Sequence, residues 1–363
     1  MEIFYELVQV ALGLRAEMSR TPLNKEWGKI YRIAKQQAVV GVLLDGLNRL
    51  AEQGLKPPLG ILLEWIGISE QIKQQNLVVN KRCGEITHLY EDAGYKTCIL
   101  KGQGNARMYP NPLARQSGDI DIWVYSKTNT KTKNDVSLRD EITKFVKERT
   151  PDVFEQSHHI DFSIYDDVPV EVHYTPNVLS NPKYNKRFQK WCHFESLKDQ
   201  EFKSSSKLGF NVPSVEFNAV YQMVHMFTHF FTEGIGLRHF VDYYYVLTNT
   251  NLTNRTNAIK TLRWLGMEKF AKGVTWIEQY CLGLEDKYLL LEPSEKIGRV
   301  ILREMEEGGN FGQYDSRFAM RYKGVFARGM ADTGRLITLA RMFPTECFWK
   351  VIEKIANQRW KFK

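Results

Sequence analysis

The 363-residue sequence has no apolar run long enough to cross a bilayer, which needs about 18 or more residues, so no membrane span is expected. The N-terminal stretch MEIFYELVQVALGLRAEM lacks the basic start and cleavage-site pattern of a secretory signal and reads as an amphipathic helix. Cysteine is sparse. The five cysteines (Cys83, Cys98, Cys192, Cys281, Cys347) are scattered and form no CxxC pair. That pattern argues against a disulfide framework and a cysteine zinc site, and fits reduced thiols in a cytoplasmic compartment. There is no internal repeat and no low-complexity segment.

What is present is ordinary for a globular chain: 43% hydrophobic residues, 25% charged residues and a formal charge of +8. Basic residues recur at Lys127, Lys131 and Lys133, at Lys183, Lys186, Arg187 and Lys190, and along the tail from Lys350 to Lys363. They read either as a solvated surface or as an attraction for a polyanion such as a nucleotide.

The texture of the chain predicts an α+β fold, a small mixed sheet flanked by N-terminal and C-terminal helical regions. Residues 1–92 carry helical spacing, with Ile3, Leu7, Val10, Ala11 and Leu14 on one stripe and a second run from Ile61 to Leu89. Residues 93–200 hold the strand-like segments Lys96–Leu100, Asp119–Tyr125, Ile160–Tyr165 and Val168–His173, with a helix over Ser137–Glu148. The last two strands, separated by Asp166-Asp167, read as a hairpin with a two-residue turn. Residues 201–363 are helical again. Ser214 is an N-cap, Gly234 and Gly236 form a break, Leu237–Leu247 restarts the helix, and further helices cover 255–282, 294–307 and 316–360.

Asp119 and Asp121 are the most informative pair. Side chains two apart on a strand share a face, so both carboxylates converge. Two like charges at that spacing repel unless a cation sits between them, and a hard divalent ion with phosphate oxygens resolves the conflict. Glu171, between Val170 and Val172, is an acid interrupting an apolar strand. Three carboxylates on neighbouring strands suit metal-assisted nucleotidyl or phosphoryl transfer, although a DxD pair alone is often only a solvated strand edge. Lys101-Gly102 follows a strand end directly, where backbone amides can turn toward a phosphate.

The segments LKGQGNARMYPNPLARQSGDIDIWV (Leu100–Val124), VEVHYTP (Val170–Pro176) and HMFTHFFTEGIGLRHFVDYYYVL (His225–Leu247) resemble an uncharacterised bacterial nucleotidyltransferase family of the polymerase β-like superfamily. The resemblance implies that Asp119 and Asp121 bind metal, with Glu171 as a third ligand or base. It places Gly102 on the glycine opening a phosphate-contacting loop, and Gln103 where the wider superfamily has Gly or Ser. The interval from Gly102 to Asp119 is longer than usual there. Mg2+ or Mn2+ as cofactor and a nucleoside triphosphate (NTP) as substrate follow from the same resemblance.

Supporting residues each have two readings. Arg115 either contacts the triphosphate or pairs structurally, and Lys101 either clamps phosphate or caps its strand. His173 shares a face with Glu171 and either orients it or is a satisfied structural histidine; His158 and His159 read as structural. His225 and His229 are four apart on a helix but lack the Glu of a zinc-protease motif, so a buried polar pair packing near Arg238 and Asp242 is expected. Arg238 and Asp242 are themselves spaced for a helical ion pair.

The expected activity is transfer of a nucleoside monophosphate from an NTP to a hydroxyl on a small molecule, a protein or an RNA end. Two other readings stand beside it: a catalytically idle nucleotide-binding or interaction module, and a metal-dependent phosphohydrolase suggested by the histidine pair.

Overall fold

In the computed structural model, residues 2–127, 137–198, 204–205, 209–315 and 334–361 are described. Lys131, Lys133 and the expected helical stretch over 316–333 lie outside them. The N-terminal region is helical throughout: α1 (Glu2–Ala11), α2 (Asn24–Gln36), α3 (Val40–Glu52) and α4 (Leu59–Asp92). In α4, Trp65, Ile72, Asn76, Val79, Cys83, Ile86 and Tyr90 recur every three, four or seven residues and are all buried. One stripe therefore runs the full length of a 34-residue helix and keeps it packed along its whole course.

The mixed sheet follows. Strand β1 (Tyr95–Ile99) pairs antiparallel with β2 (Ile120–Lys127), β2 runs parallel to β4 (Val170–His173), and β3 (His159–Asp161) closes the far edge antiparallel to β4. The spatial order is β1-β2-β4-β3. Between β1 and β2 lies a short helix, Gln103–Ala106, and between β2 and β3 comes α5 (Leu138–Lys147), whose N-cap Ser137 accepts a bond from the Asp140 amide as its sequence suggests. The strands β3 and β4 pair as expected, but their connection is not a two-residue turn. It runs from Phe162 to Pro169, with the Phe162 amide donating to the Val170 carbonyl before the chain bends away.

After α6 (Pro182–Leu197) come α7 (Val215–Phe230), α8 (Leu237–Thr248), α9 (Leu252–Trp264), α10 (Glu268–Tyr280) and α11 (Glu295–Gly308). The Ser214 hydroxyl caps α7 by accepting from the Phe217 amide. The expected helix over 255–282 is two helices, separated at Gly266, which has φ +74°. Residues 334–340 are helical, the helix breaks at 341–343, and a last helix spans Pro344–Lys361 with Pro344 at its first position, where its missing N–H costs nothing.

Two apolar cores result. One lies beneath the sheet and joins Ile120, Ile122, Val124, Val170, Val172 and Ile160 to the second half of α4 and to Ile142 and Val146 of α5. The other is helical and brings α1–α3 and the first half of α4 together with α7–α11. The two ends of the chain thus share one core, and α4 is the wall common to both. No helix among the described residues is long and apolar enough to cross a membrane.

Candidate active site

Strand alternation and register build the site. Asp121 lies opposite Glu171 across the parallel β2/β4 pair, and Asp161 lies opposite Glu171 across β4/β3. Partnered residues share a face, so three carboxylates form a row across three strands while their apolar neighbours face the core beneath. Two residues further along, His173 of β4 and His159 of β3 form the next row. Trp123 of β2 turns to the same side and stacks on Phe217 of α7, with ring centroids 5.5 Å apart. Helix α7 therefore covers this face, and Tyr221, His225 and His229, at successive four-residue steps from Phe217, line the opposite wall. Asp119 sits just before β2 and faces the same cleft. That cleft encloses about 1100 Å³ and is also bordered by Lys101, His158, Phe311, Lys350 and Glu353.

Asp121 is the buried centre, 1% exposed. Its Oδ1 lies 3.0 Å from the Lys101 ammonium and 3.1 Å from His173 Nε2. Its Oδ2 is buried without a hydrogen-bond partner. Burial pulls the Lys101 pKa down, but Asp119 and Asp121 outweigh it, and the ammonium is held charged. Burial also opposes charge on His173, yet its bonds to Asp121 and Glu171 push it up to about 9. Glu171 is lowered despite burial, chiefly by its bond to His173. His158 is pulled down to about 2 by burial and then by His173. The carboxylate row is thus balanced from within by one lysine and one histidinium.

Gly102 caps the short helix with φ +57° and ψ −112°, a conformation that favours glycine, and with Lys101 it lines the cleft's narrower recess. Gln103 is not brought into the site. Its side chain is 3% exposed and donates to Asn80 Oδ1 on α4 at 2.7 Å, so it anchors the short helix instead of meeting a phosphate.

Arg115 is likewise committed. Its Nε and Nη2 donate to the two oxygens of Asp242 at 2.7 Å each, and Tyr109 donates to the same carboxylate at 2.6 Å. Asp242 therefore pairs with Arg115, 127 residues away, and not with Arg238 one turn earlier in its own helix. Among the described residues Arg238 hydrogen-bonds the Gln116 carbonyl at 3.3 Å and lies over the Phe311 ring at 5.2 Å, and its Nε is buried without a hydrogen-bond partner. Burial, and then Arg115, lower its pKa to about 10, so it remains cationic with donors to spare. Arg238, Lys101, Gly102 and Asp119 line the same narrow recess, which opens beside the carboxylates. Of the two readings left open for Arg115 the structure shows structural pairing, and the guanidinium with an unpaired nitrogen is that of Arg238.

His225 and His229 stack edge to face at 4.3 Å as a polar pair, the first buried and the second bonded to Glu233 at 3.0 Å. Their ring neighbours include His239 and Phe311, and His225 lines the narrow recess together with Arg238 and Asp242. Among the described residues no third ligand completes a metal group around them. Three groups do have metal-ligand spacing: Asp121, Glu171 and His173; His159, Asp161 and Glu171; and His158, His159 and His173. The orphaned Asp121 Oδ2 beside Glu171 fits a hard divalent cation, which would complete its coordination. Asp161 and Phe311 escaped the sequence reading. The alternation His159-Ile160-Asp161-Phe162 carried a signal for the first, since Asp161 shares the face of His159.

A family model described as uncharacterised nucleotidyltransferase matches residues 24–283, well over half of the chain. The chain belongs to this nucleotidyltransferase family. No curated protein and no solved structure matches it. The matched span includes Asp119, Asp121, Asp161, Glu171, Lys101 and Arg238, but ends before Phe311, Lys350 and Glu353, which also border the nucleotidyltransferase cleft.

Proposed function

We propose that this nucleotidyltransferase-family chain moves a nucleoside monophosphate from an NTP to a hydroxyl acceptor, releasing pyrophosphate. The observation that carries the reading is the Asp121–Glu171 register across β2 and β4, with Asp119 at the strand mouth and one carboxylate oxygen left unpartnered. Asp119, Asp121 and Glu171 would hold Mg2+ or Mn2+. When bound, the ion lowers the charge on the phosphates and favours ionisation of the attacking hydroxyl.

The remaining work falls to the chain's own groups. Lys101, just after β1, and Arg238 of α8 approach the recess and supply fixed positive charge to the triphosphate. Both are pre-positioned in a largely desolvated place, so little reorganisation is needed when charge develops on the leaving group. Glu171, held as a carboxylate in the middle of the row between Asp121 and Asp161, accepts the acceptor's proton or serves as ligand. His173 donates to Asp121 and keeps that carboxylate turned toward the cleft. The small mixed sheet supports placing the family within the polymerase β-like superfamily. The width of the cleft beyond the recess favours transfer to an acceptor over simple hydrolysis, because water alone needs no such room.

The test is incubation with each of the four α-labelled NTPs and Mg2+ or Mn2+, following label into protein, RNA and small-molecule fractions. Pyrophosphate release that disappears in Asp121→Asn and Glu171→Gln supports the reading. Label released only as free monophosphate would replace it with a phosphohydrolase, and NTP binding without turnover would leave an idle binding module.

A further inference from the structure

Beside the carboxylate row, the cleft wall carries a second set of donors, of which the nucleotidyl-transfer reading uses only His173. His158 and His159 lie at the start of β3, and His173 stands opposite His159 across the β3/β4 pair. One ring nitrogen from each lies within 4.8 Å of the other two. The rings are close in every combination, with centroids 4.6, 5.4 and 5.1 Å apart. His159 Nδ1 is 3.2 Å from His158 Nε2, a contact between two imidazole nitrogens.

Three further observations point to a ligand. His159 and His173 are each 3% exposed, and each keeps a buried ring nitrogen with no hydrogen-bond partner: Nε2 of His159 and Nδ1 of His173. A buried lone pair or N–H without a partner is costly, and a bound ion removes the cost. The other nitrogen of His173 is bonded to Asp121 at 3.1 Å, the carboxylate–imidazole arrangement that fixes a ligating ring's tautomer and orientation. Asp161 lies 3.5 Å from His159 Nε2 and adds a carboxylate at the rim.

We propose that His158, His159 and His173 form a second cation site, distinct from the oxygen-rich Asp119–Asp121–Glu171 site, that takes a borderline transition ion such as Zn2+ in preference to Mg2+. The selectivity follows from donor chemistry. Imidazole nitrogen suits Zn2+, Co2+ and related ions, whereas Mg2+ demands oxygen and gives up its water reluctantly. Glu171 stands within reach of both sets, so the two sites are neighbours. The site requires no nucleotide, so it stands or falls independently of the transfer reaction.

The experiment uses the full chain freed of metal with a chelator. Zn2+ and Mg2+ are titrated separately by calorimetry, and Co2+ serves as a visible-spectrum probe of nitrogen ligation. Zn2+ should bind at one site that a roughly hundredfold excess of Mg2+ does not empty. Co2+ should give a nitrogen-ligated spectrum that Zn2+ abolishes. His158→Gln and His159→Gln should each weaken Zn2+ by more than about tenfold, because even partners one step removed from a metal are worth that much. Asp119→Asn should leave Zn2+ binding intact while weakening Mg2+. Displacement of Zn2+ by Mg2+ in the wild type, a Co2+ spectrum of oxygen ligands only, or folded His158→Gln protein with unchanged Zn2+ affinity would each overturn the proposal. The competition and the spectrum need no variant, so a misfolded mutant leaves the test intact.

Discussion

Replacing Asp242 with Asn probes the joint on which the approach to the site is built. Asp242 and Arg115 are 4% and 6% exposed, and both guanidinium–carboxylate contacts are 2.7 Å. The substitution keeps the shape but removes the charge, and it turns an amide N–H toward a donor. Buried Arg115 and the nearby, half-buried Arg238 are then two cations without a carboxylate between them. Breaking a buried pair from one side costs about 3–5 kcal/mol, far more than an exposed pair would. With a urea slope of about 3 kcal/mol/M, that loss moves the unfolding midpoint down by about 1–1.7 M. Substituting both partners, Arg115→Met with Asp242→Leu, should be markedly milder than Asp242→Asn, since neither charge is left stranded. Denaturation of the wild type, Arg115→Met, Asp242→Leu and the double variant closes a thermodynamic cycle. A loss under about 1 kcal/mol for Asp242→Asn would refute the reasoning, because it would mean that water already screens the pair.

Three further outcomes follow from the same physics. Glu278 is fully buried with neither carboxyl oxygen partnered, and burial holds its pKa well above the ordinary value of 4.5. The folded chain keeps a proton that the unfolded chain releases, so stability should fall by about 1.4 kcal/mol per pH unit above that ordinary value until the folded group ionises. Glu278→Gln should flatten this slope in unfolding curves at pH 5 and pH 8, and an unchanged slope would exclude it as the source. A Cβ at Gly236 would stand 2.8 Å from Asn310 Cα, so Gly236→Ala should cost about 1–3 kcal/mol and shift the turn that carries Phe311. Its effect would be read as lower thermal stability together with weaker nucleotide binding; unaltered values for both would mean that the turn is not seated there. Lys101→Met should tighten Mg2+ binding and weaken NTP binding by about tenfold or more each, because it removes a rival cation from Asp121 and a charged donor from the phosphates. Calorimetry in which both affinities move the same way would contradict that assignment.

Local pattern made the acidic strands legible. Alternation placed Asp121 and Glu171 among apolar neighbours, and Ser137 and Ser214 marked helix starts that the structure keeps. What escaped depended on long-range choices. Nothing in the sequence states that β2 lies beside β4 rather than β3, and that parallel register is what sets Asp121 opposite Glu171. The helical spacing of Arg238 and Asp242 suggested an ion pair worth a few tenths of a kcal/mol at most. A buried, bidentate partner from a distant loop outcompetes it, which frees Arg238 for another role. Gln103 stands at a loop position open to phosphate by analogy, but α4 offers Asn80 as a nearer partner. The β3–β4 connection is longer than two residues because Phe162 and Val168 bury themselves in the core beneath the sheet, drawing the chain away from a tight turn.

The arrangement at Asp121 implies an exchange of cations rather than simple filling of an empty site. In the free chain, Lys101 and a protonated His173 already share one oxygen of Asp121, while the other oxygen waits without a partner. A divalent ion arriving alone meets two positive neighbours, which weakens it. One arriving with a triphosphate brings enough negative charge to draw Lys101 off the carboxylate and onto phosphate. Metal and nucleotide should therefore bind each other's complex more tightly than either binds the free chain, and by linkage the enhancement must be equal in both directions. The coupling originates in one lysine that can serve two anions but only one at a time, so a Lys101→Met chain that still bound metal and NTP with full mutual enhancement would show that the cooperativity arises elsewhere.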